Sequence, residues 1–279
     1  MTSPLIPAPV LVRDLARGRV PVILDVRYWL NKPGQGRDAY AQGHVPGAIF
    51  VDLDAELAAP VATDGRGGRH PLPSPEAFSE QVAAWGIDAD TDVVVYDQQA
   101  SLAAGRLWWM LTDHGVRSVQ VLDGGYAAWL AAGGRIDLEA HEGDALKEGF
   151  ASHRRLRRVE ADEIGSLLAS GHRLIDVRAA ERYRGDVEPI DRIAGHIPGA
   201  ENLPATTLQT ADGRFRSPAA LRELLGPLSS SDALSCGSGV TAAQVALAVA
   251  AAGLPVPRLY VGSYSDWVSD PNRPVVISE

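Results

Sequence analysis

Cysteine is almost missing from this chain: 279 residues contain one, Cys236. A lone cysteine can neither close an internal disulfide nor build a cysteine-rich zinc site, so stability has to come from packing, as suits a reducing compartment. Long apolar runs are missing as well. No stretch approaches the roughly 20 residues that cross a bilayer, and Met1-Thr2-Ser3-Pro4 has neither the basic start nor the apolar core of a secretory signal; the expected location is the cytoplasm, without a membrane partner. Positive charge is in short supply: 26 Lys and Arg stand against 35 Asp and Glu, for a formal net charge of −9 and a pI near 5.3. Nucleic acids and anionic membranes are held through clustered cations, so the balance points away from both and toward a small substrate. The one basic run, His153-Arg154-Arg155-Leu156-Arg157-Arg158, has no interleaved aromatic residues and reads as a solvated face.

What is present is a repeat. Leu24-Asp25-Val26-Arg27 is matched by Ile175-Asp176-Val177-Arg178, and Gly43-His44-Val45-Pro46-Gly47-Ala48 by Gly195-His196-Ile197-Pro198-Gly199-Ala200. Farther on, Leu122 to Trp129 answers to Tyr260 to Trp267. Landmarks in one order at this long period mean duplicated domains, since solenoid repeats are far shorter. Within each half, β-rich runs such as Val20–Leu24, Val93–Tyr96 and Val119–Leu122 alternate with helical patterns such as Pro75–Trp85 and Arg106–His114. That alternation predicts an α/β fold, a parallel sheet with helices on both faces in each half, with reactive loops at the carboxyl ends of the strands. The expected division is residues 1–137, a surface linker over 138–156 rich in Glu, Gly, His and Asp, and residues 157–279.

Cys236 opens Cys236-Gly237-Ser238-Gly239-Val240-Thr241, between a short apolar stretch and an alanine-rich helical pattern that ends at Gly253. A lone cysteine is usually an inert small hydrophobe. Here glycines flank Ser238 where a core strand would want bulk, and a loop turning sharply into a helix can aim backbone N–H groups and the positive helix end at the sulfur, favouring a thiolate or persulfide. The aligned position in the first half is Tyr96-Asp97 in place of Ser235-Cys236, so only the second half carries a nucleophile. The preceding Ser231–Ser235 has poor strand propensity. His44, His196, Asp25, Asp176, Arg27 and Arg178 recur in both halves and read as structural; Trp108 and Trp109 lie on a helical pattern and read as core. Asp52 and Asp54 are two carboxylates without further oxygen ligands, too few for a divalent site.

The tandem halves, the paired Gly-His-Val/Ile-Pro-Gly-Ala motifs and the Cys-Gly-Ser-Gly-Val-Thr-Ala loop resemble the two-domain rhodanese superfamily, and within it the 3-mercaptopyruvate sulfurtransferases. The resemblance implies two tandem rhodanese-like domains, the first inactive and the second catalytic. It implies a ping-pong reaction without cofactor: Cys236 takes a sulfane sulfur from a small-molecule donor, holds it as a persulfide on the loop of Gly237, Gly239, Val240 and Thr241, and passes it on. With no second cysteine the sulfur has to leave to an external thiol, such as thioredoxin or a low-molecular-weight thiol, or to cyanide. Arg182 matches the family arginine that holds the donor carboxylate. A second family arginine follows about nine residues later; here Asp191 stands at that place, with Arg192 beside it as the candidate substitute. A proton relay in the family is matched by Ser238, by His70 in Gly67-Gly68-Arg69-His70-Pro71, and by Asp54.

Neutral Gly237 and Ser238, where thiosulfate-specific relatives carry basic residues, favour a singly charged carboxylate donor, 3-mercaptopyruvate, with thiosulfate the alternative. Rhodanese-type phosphatases and arsenate reductases need a longer loop ending in an arginine, which Thr241-Ala242-Ala243 does not supply. A non-catalytic sulfur-carrier or redox module would keep Cys236 without requiring Arg182, Ser238 or His70.

Overall fold

A computed structural model describes residues 3–278 apart from 99, 148, 151, 153 and 154; His153 and Arg154 of the basic run therefore lie outside the described residues. The chain forms two all-parallel sheets. The first contains β1 (Leu5–Pro7), β2 (Val22–Asp25), β3 (Ala48–Phe50), β4 (Asp92–Tyr96) and β5 (Ser118–Asp123) in the order β1-β5-β4-β2-β3. The second contains β6 (Leu174–Asp176), β7 (Ala200–Asn202), β8 (Ala233–Ser235) and β9 (Arg258–Leu259) in the order β7-β6-β8-β9. The two orders match strand for strand once β1 is set aside, so β8 takes the place of β4 and Cys236 follows its strand as Asp97 follows β4.

Parallel strands joined through helices are buried on both faces, which accounts for the continuous Val93–Tyr96 run of the central β4. β8 has no such run. It is a strand because it lies between β6 and β9, pairing Ala233 with both Leu174 and Arg258 and Leu234 with both Ile175 and Leu259; sheet context overrides local propensity. Helices run between the strands. Pro75–Ala84 begins at Ser74, whose Oγ accepts the Ala77 N–H, with Pro75 in the first helical position where a missing N–H does no harm. Leu102–His114 is buried along most of its length, Trp108 and Trp109 included. Among the described residues no helix is long and apolar enough to cross a membrane.

The compact units are not continuous in sequence. One comprises residues 1–57, 73–155 and 210–215, and the other residues 58–72, 156–209 and 216–279. The cut expected near 137–157 follows the sequence repeat, whereas the segments 58–72 and 210–215 each belong to the unit of the opposite half. The first of these carries His70, which is thereby in the same unit as Cys236.

Both units anchor the end of an inner strand on the same buried ion pair. Arg27 donates through Nε and Nη2 to the Asp25 carboxylate at 2.7–3.0 Å and through Nη2 to the Gly43 carbonyl, while Asp25 also accepts the Arg27 N–H. Arg178 repeats each contact with Asp176 and Gly195. The guanidinium lies over Tyr126 in one unit and over Tyr264 in the other, 4.3 and 3.9 Å from the ring centres. Asp25 takes a third partner, the Tyr96 hydroxyl at 2.6 Å; burial, then the Asp25 charge, holds that phenol far above its ordinary pKa, so it remains a donor. The motif aspartates and arginines thus tie the turn before Pro46 and Pro198 to the sheet. Asp25→Ala would strand a buried guanidinium, and the expected loss is about 3–5 kcal/mol, measured as a lower urea midpoint for the variant than for the unsubstituted chain.

Candidate active site

β8 runs straight into Cys236, and the helix Val240–Ala251 starts four residues later. Gly239 makes the turn with φ of 79°, a left-handed conformation that costs glycine little. Its N–H is thereby aimed back at the Cys236 sulfur, 3.1 Å away, and Val240 and Thr241 open the helix, where backbone N–H groups have no intrahelical acceptor. Ser263 Oγ lies 3.9 Å from the sulfur, accepts the Cys236 N–H at 3.1 Å and donates to the Tyr260 carbonyl at 2.8 Å. The Tyr264 and Ser265 N–H groups hold the Cys236 and Gly237 carbonyls. The thiol is well enclosed: Cys236 is 1% exposed.

His70 and Ser238 meet. The His70 Nδ1 to Ser238 Oγ distance is 2.8 Å, with both residues less than a tenth exposed. What carries His70 there is the segment 58–72, which is sewn to the short helix Ser263–Trp267: the Gly67 N–H donates to Asp266 and the Arg69 N–H to Ser265 Oγ, at 2.9 and 3.1 Å. Because Ser265 also holds the Gly237 carbonyl, the one residue positions both the histidine segment and the cysteine loop.

The same segment brings in Arg69, which sequence reasoning passed over. A Cβ placed on Gly237 would lie 2.8 Å from Arg69 Nη2 and 3.6 Å from Arg182 Nη1. Two guanidiniums therefore flank the residue after Cys236, and any side chain there would displace the tip of Arg69. Asp191 joins them, accepting from Arg69 Nη1 and, at 3.0 Å, from Arg182 Nη2. Glu188 takes the other side of Arg182 at 2.7–3.1 Å and is 3.4 Å from Arg178. Burial raises the Asp191 pKa despite the nearby Arg69. For Glu188 burial also pushes upward, but the Arg182 hydrogen bond and the Asp191 and Ile190 N–H groups outweigh it and keep the carboxylate below its ordinary range. Arg69 Nε is buried with no hydrogen-bond partner. Arg192 is exposed: along this stretch the inward-facing side chain is Asp191, so the charge expected from Arg192 is placed at the loop by Arg69. The signal available in the sequence was only a basic residue next to His70.

Asp54 belongs to the first unit, in the four-residue helix Leu53–Glu56. Desolvation, then the Asp52 charge, raises its pKa, and a Tyr28 hydrogen bond opposes them. The Asp52 carboxylate caps that helix, accepting the Asp54 and Ala55 N–H groups at 3.0 and 3.2 Å.

The first unit shows what this loop shape does. After β4, Asp97 points into the start of the helix Leu102–His114, where its two carboxylate oxygens accept the Ser101 and Ala104 N–H groups at 3.0 and 3.2 Å. Ser101 is left-handed, φ 56°, as Gly239 is. In one repeat a carboxylate fills the cradle of helix N–H groups, and in the other a thiol stands there.

Comparison with known proteins agrees with this duplication. The rhodanese-like domain family matches residues 8–132 and again 160–270. The chain is 41% identical over 268 residues to a Pseudomonas aeruginosa protein named "Probable 3-mercaptopyruvate sulfurtransferase", covering 92% of this chain and 93% of that one. It is 42% identical over 280 residues to the Mycobacterium tuberculosis "Putative thiosulfate sulfurtransferase SseB", covering 97% and 96%. Among solved structures, the 3-mercaptopyruvate sulfurtransferase from Leishmania major superimposes with a TM-score of 0.78 at 32% identity, over 94% of this chain and 73% of that one. With the family matched twice along the chain and relatives of this identity covered over nearly their whole length, the chain belongs to the two-domain rhodanese superfamily of sulfurtransferases.

Proposed function

We propose that this sulfurtransferase moves a sulfane sulfur from 3-mercaptopyruvate to a thiol or cyanide through a persulfide on Cys236. The observation that carries the reading is the convergence on one loop of a thiol facing a helix N-terminus, a Ser–His pair and two guanidiniums. In the first half-reaction the Cys236 thiolate attacks the donor sulfur, the donor C–S bond breaks, and the electron pair leaves on the carbon of pyruvate enolate. The proton of the donor thiol ends on that carbon, and Ser238, hydrogen-bonded to His70, is placed to ferry it; Asp54 is the residue that the resemblance assigns to the far end of the relay. The terminal sulfur stays as an anion facing the Gly239 N–H until an acceptor thiolate or cyanide attacks it, restoring the Cys236 thiolate. No step draws on a metal or an organic cofactor.

In this reading the donor carboxylate binds where Asp191 now bridges Arg69 and Arg182. A carboxylate matches the planar guanidinium fork, and the unpartnered Arg69 Nε gains an acceptor. The charges at the site also bear on donor choice. Arg69, Arg178 and Arg182 stand against Asp176, Glu188 and Asp191, so the constellation has no net positive excess, which suits a singly charged donor better than doubly charged thiosulfate. Arg69 nevertheless supplies in space the positive charge that the loop lacks in sequence, and this favours thiosulfate as the second reading.

Incubation with 3-mercaptopyruvate should add the mass of one sulfur atom at Cys236 in the intact-protein mass spectrum and add nothing to Cys236→Ser; an unchanged spectrum with both donors would remove the persulfide. Arg182→Ala and Arg69→Ala should each raise the KM for 3-mercaptopyruvate by about 10- to 100-fold, more than they lower kcat, because the contact is made to the carboxylate and not to the reacting sulfur. Asp191→Asn, which removes the negative charge between the two arginines, should shift the ratio of kcat/KM values toward thiosulfate by about tenfold, the equivalent of about 1.4 kcal/mol. Steady-state kinetics with both donors reads each outcome, and a ratio unmoved in Asp191→Asn would detach that residue from donor choice.

A further inference from the structure

The first unit holds a second constellation that sulfur transfer does not use. His44, Asp137 and His141 each offer one ligand atom, and these atoms lie within 4.8 Å of one another, the one such group among the described residues. Local structure brings them together. Asp137 pairs with His44 through two backbone hydrogen bonds, 2.9 and 3.0 Å, and His141 bridges to Ile49. Between these two bridges the chain bends at Glu139, and Asp137 Oδ1 accepts the Leu138 and Glu139 N–H groups at 2.8 and 3.1 Å. His141 Nε2 lies 2.9 Å from Asp137 Oδ2.

The telling atom is His44 Nε2. His44 is fully buried, and both its ring nitrogens face carbonyl oxygens: Nδ1 that of Tyr40 at 2.8 Å and Nε2 that of Glu139 at 2.9 Å. A carbonyl only accepts, whereas a neutral imidazole has a single N–H. The second repeat shows which contact belongs to the fold. His196 stacks on Tyr183 at 3.7 Å as His44 stacks on Tyr40 at 3.8 Å, and its Nδ1 likewise faces the Tyr183 carbonyl at 2.8 Å. Nδ1–H is therefore the recurring donor, and Nε2 of His44 meets the Glu139 oxygen either as the second N–H of an imidazolium or through a metal ion held between them. An imidazole held by a backbone carbonyl through one nitrogen, with the other turned toward a carboxylate and a second imidazole, has the outer-shell arrangement of a metal ligand. The fold does not require the acid: in the second repeat the bridge partner of His196 is Val276.

We propose that His44 Nε2, His141 Nε2, Asp137 Oδ2 and the Glu139 carbonyl bind one divalent cation of the zinc type, fastening residues 137–141 to the His44 turn. Two imidazoles and two oxygens are a four-coordinate set that zinc accepts, with bonds of about 2.0–2.2 Å that place the ligand atoms about 3.3 Å apart. The pairs now at 2.9 Å would open by a few tenths of an ångström as the ion replaces the bridging protons.

The test uses the full-length chain carrying Cys236→Ser, so that the catalytic thiol cannot bind the metal, stripped with chelator and dialysed against Zn²⁺. One zinc per chain is expected by elemental analysis, with a rise in the thermal midpoint on loading. In the same background Asp137→Asn and His141→Ala, which change partly exposed side chains and leave the buried His44 in place, should weaken binding by about 100-fold or more and abolish the thermal shift. Co²⁺ should give the absorption of a tetrahedral site in the parent and lose it in both variants. No retained zinc in the Cys236→Ser chain, or zinc retained equally by both variants, would overturn the proposal and leave His44 bridged by a proton alone.

Discussion

A backbone N–H turned into the protein interior needs an acceptor, and leaving it without one costs about as much as a lost hydrogen bond. Much of this molecule follows from that demand at one place in each repeat, where the central strand passes through a few residues into the first turn of a helix. The turn gathers N–H groups that the helix cannot satisfy, and the side chain just after the strand is the nearest group able to receive them. Asp97 meets the demand permanently with a carboxylate. Cys236 meets it with a sulfur, which the Gly239 N–H faces at 3.1 Å and which is the atom proposed to carry the transferred sulfur. The two halves are thus one architecture with a carboxylate at this place in the first and a thiol in the second.

The buried Asp–Arg pairs hold those strand ends in place. Asp25 with Arg27 and Asp176 with Arg178 make the same contacts, down to the second bond onto the glycine carbonyl, and each guanidinium covers a tyrosine from the helix after the last strand. In the second unit the network goes on from Arg178 to Glu188, Arg182, Asp191 and Arg69. A structural ion pair thereby grades into the charged groups proposed to meet the donor. Alternating signs let three arginines lie close together, since each buried cation has a carboxylate beside it.

Much of this was legible in the sequence, and the reasons for the remainder are physical. The duplication was readable because the Asp-Val-Arg and Gly-His-x-Pro-Gly-Ala motifs are pinned by contacts local to each repeat. The loop was readable because glycines flanking a serine after a short apolar stretch have few other uses. Ser231–Ser235 was the weak point, since the strand exists through its neighbours β6 and β9 and not through its own residues. Arg69 and Asp191 were hidden for a different reason. Their partnership joins positions 122 residues apart, and a one-residue step along the chain decides whether Asp191 or Arg192 faces inward. Neither separation nor facing leaves a periodic trace in so short and irregular a segment. His44 likewise reads as a turn residue in both halves, and only the carbonyl of Glu139 against its far nitrogen sets it apart from His196.

The traded segment 58–72 carries a lesson about heritage. A gene clipped back to its second half would still encode Cys236, the turn around it and Arg182, yet the polypeptide would be born without Arg69 and His70, which are written upstream in the other copy. The unit of sequence that repeats is therefore not the unit that folds, and no single cut in the chain separates the two compact bodies.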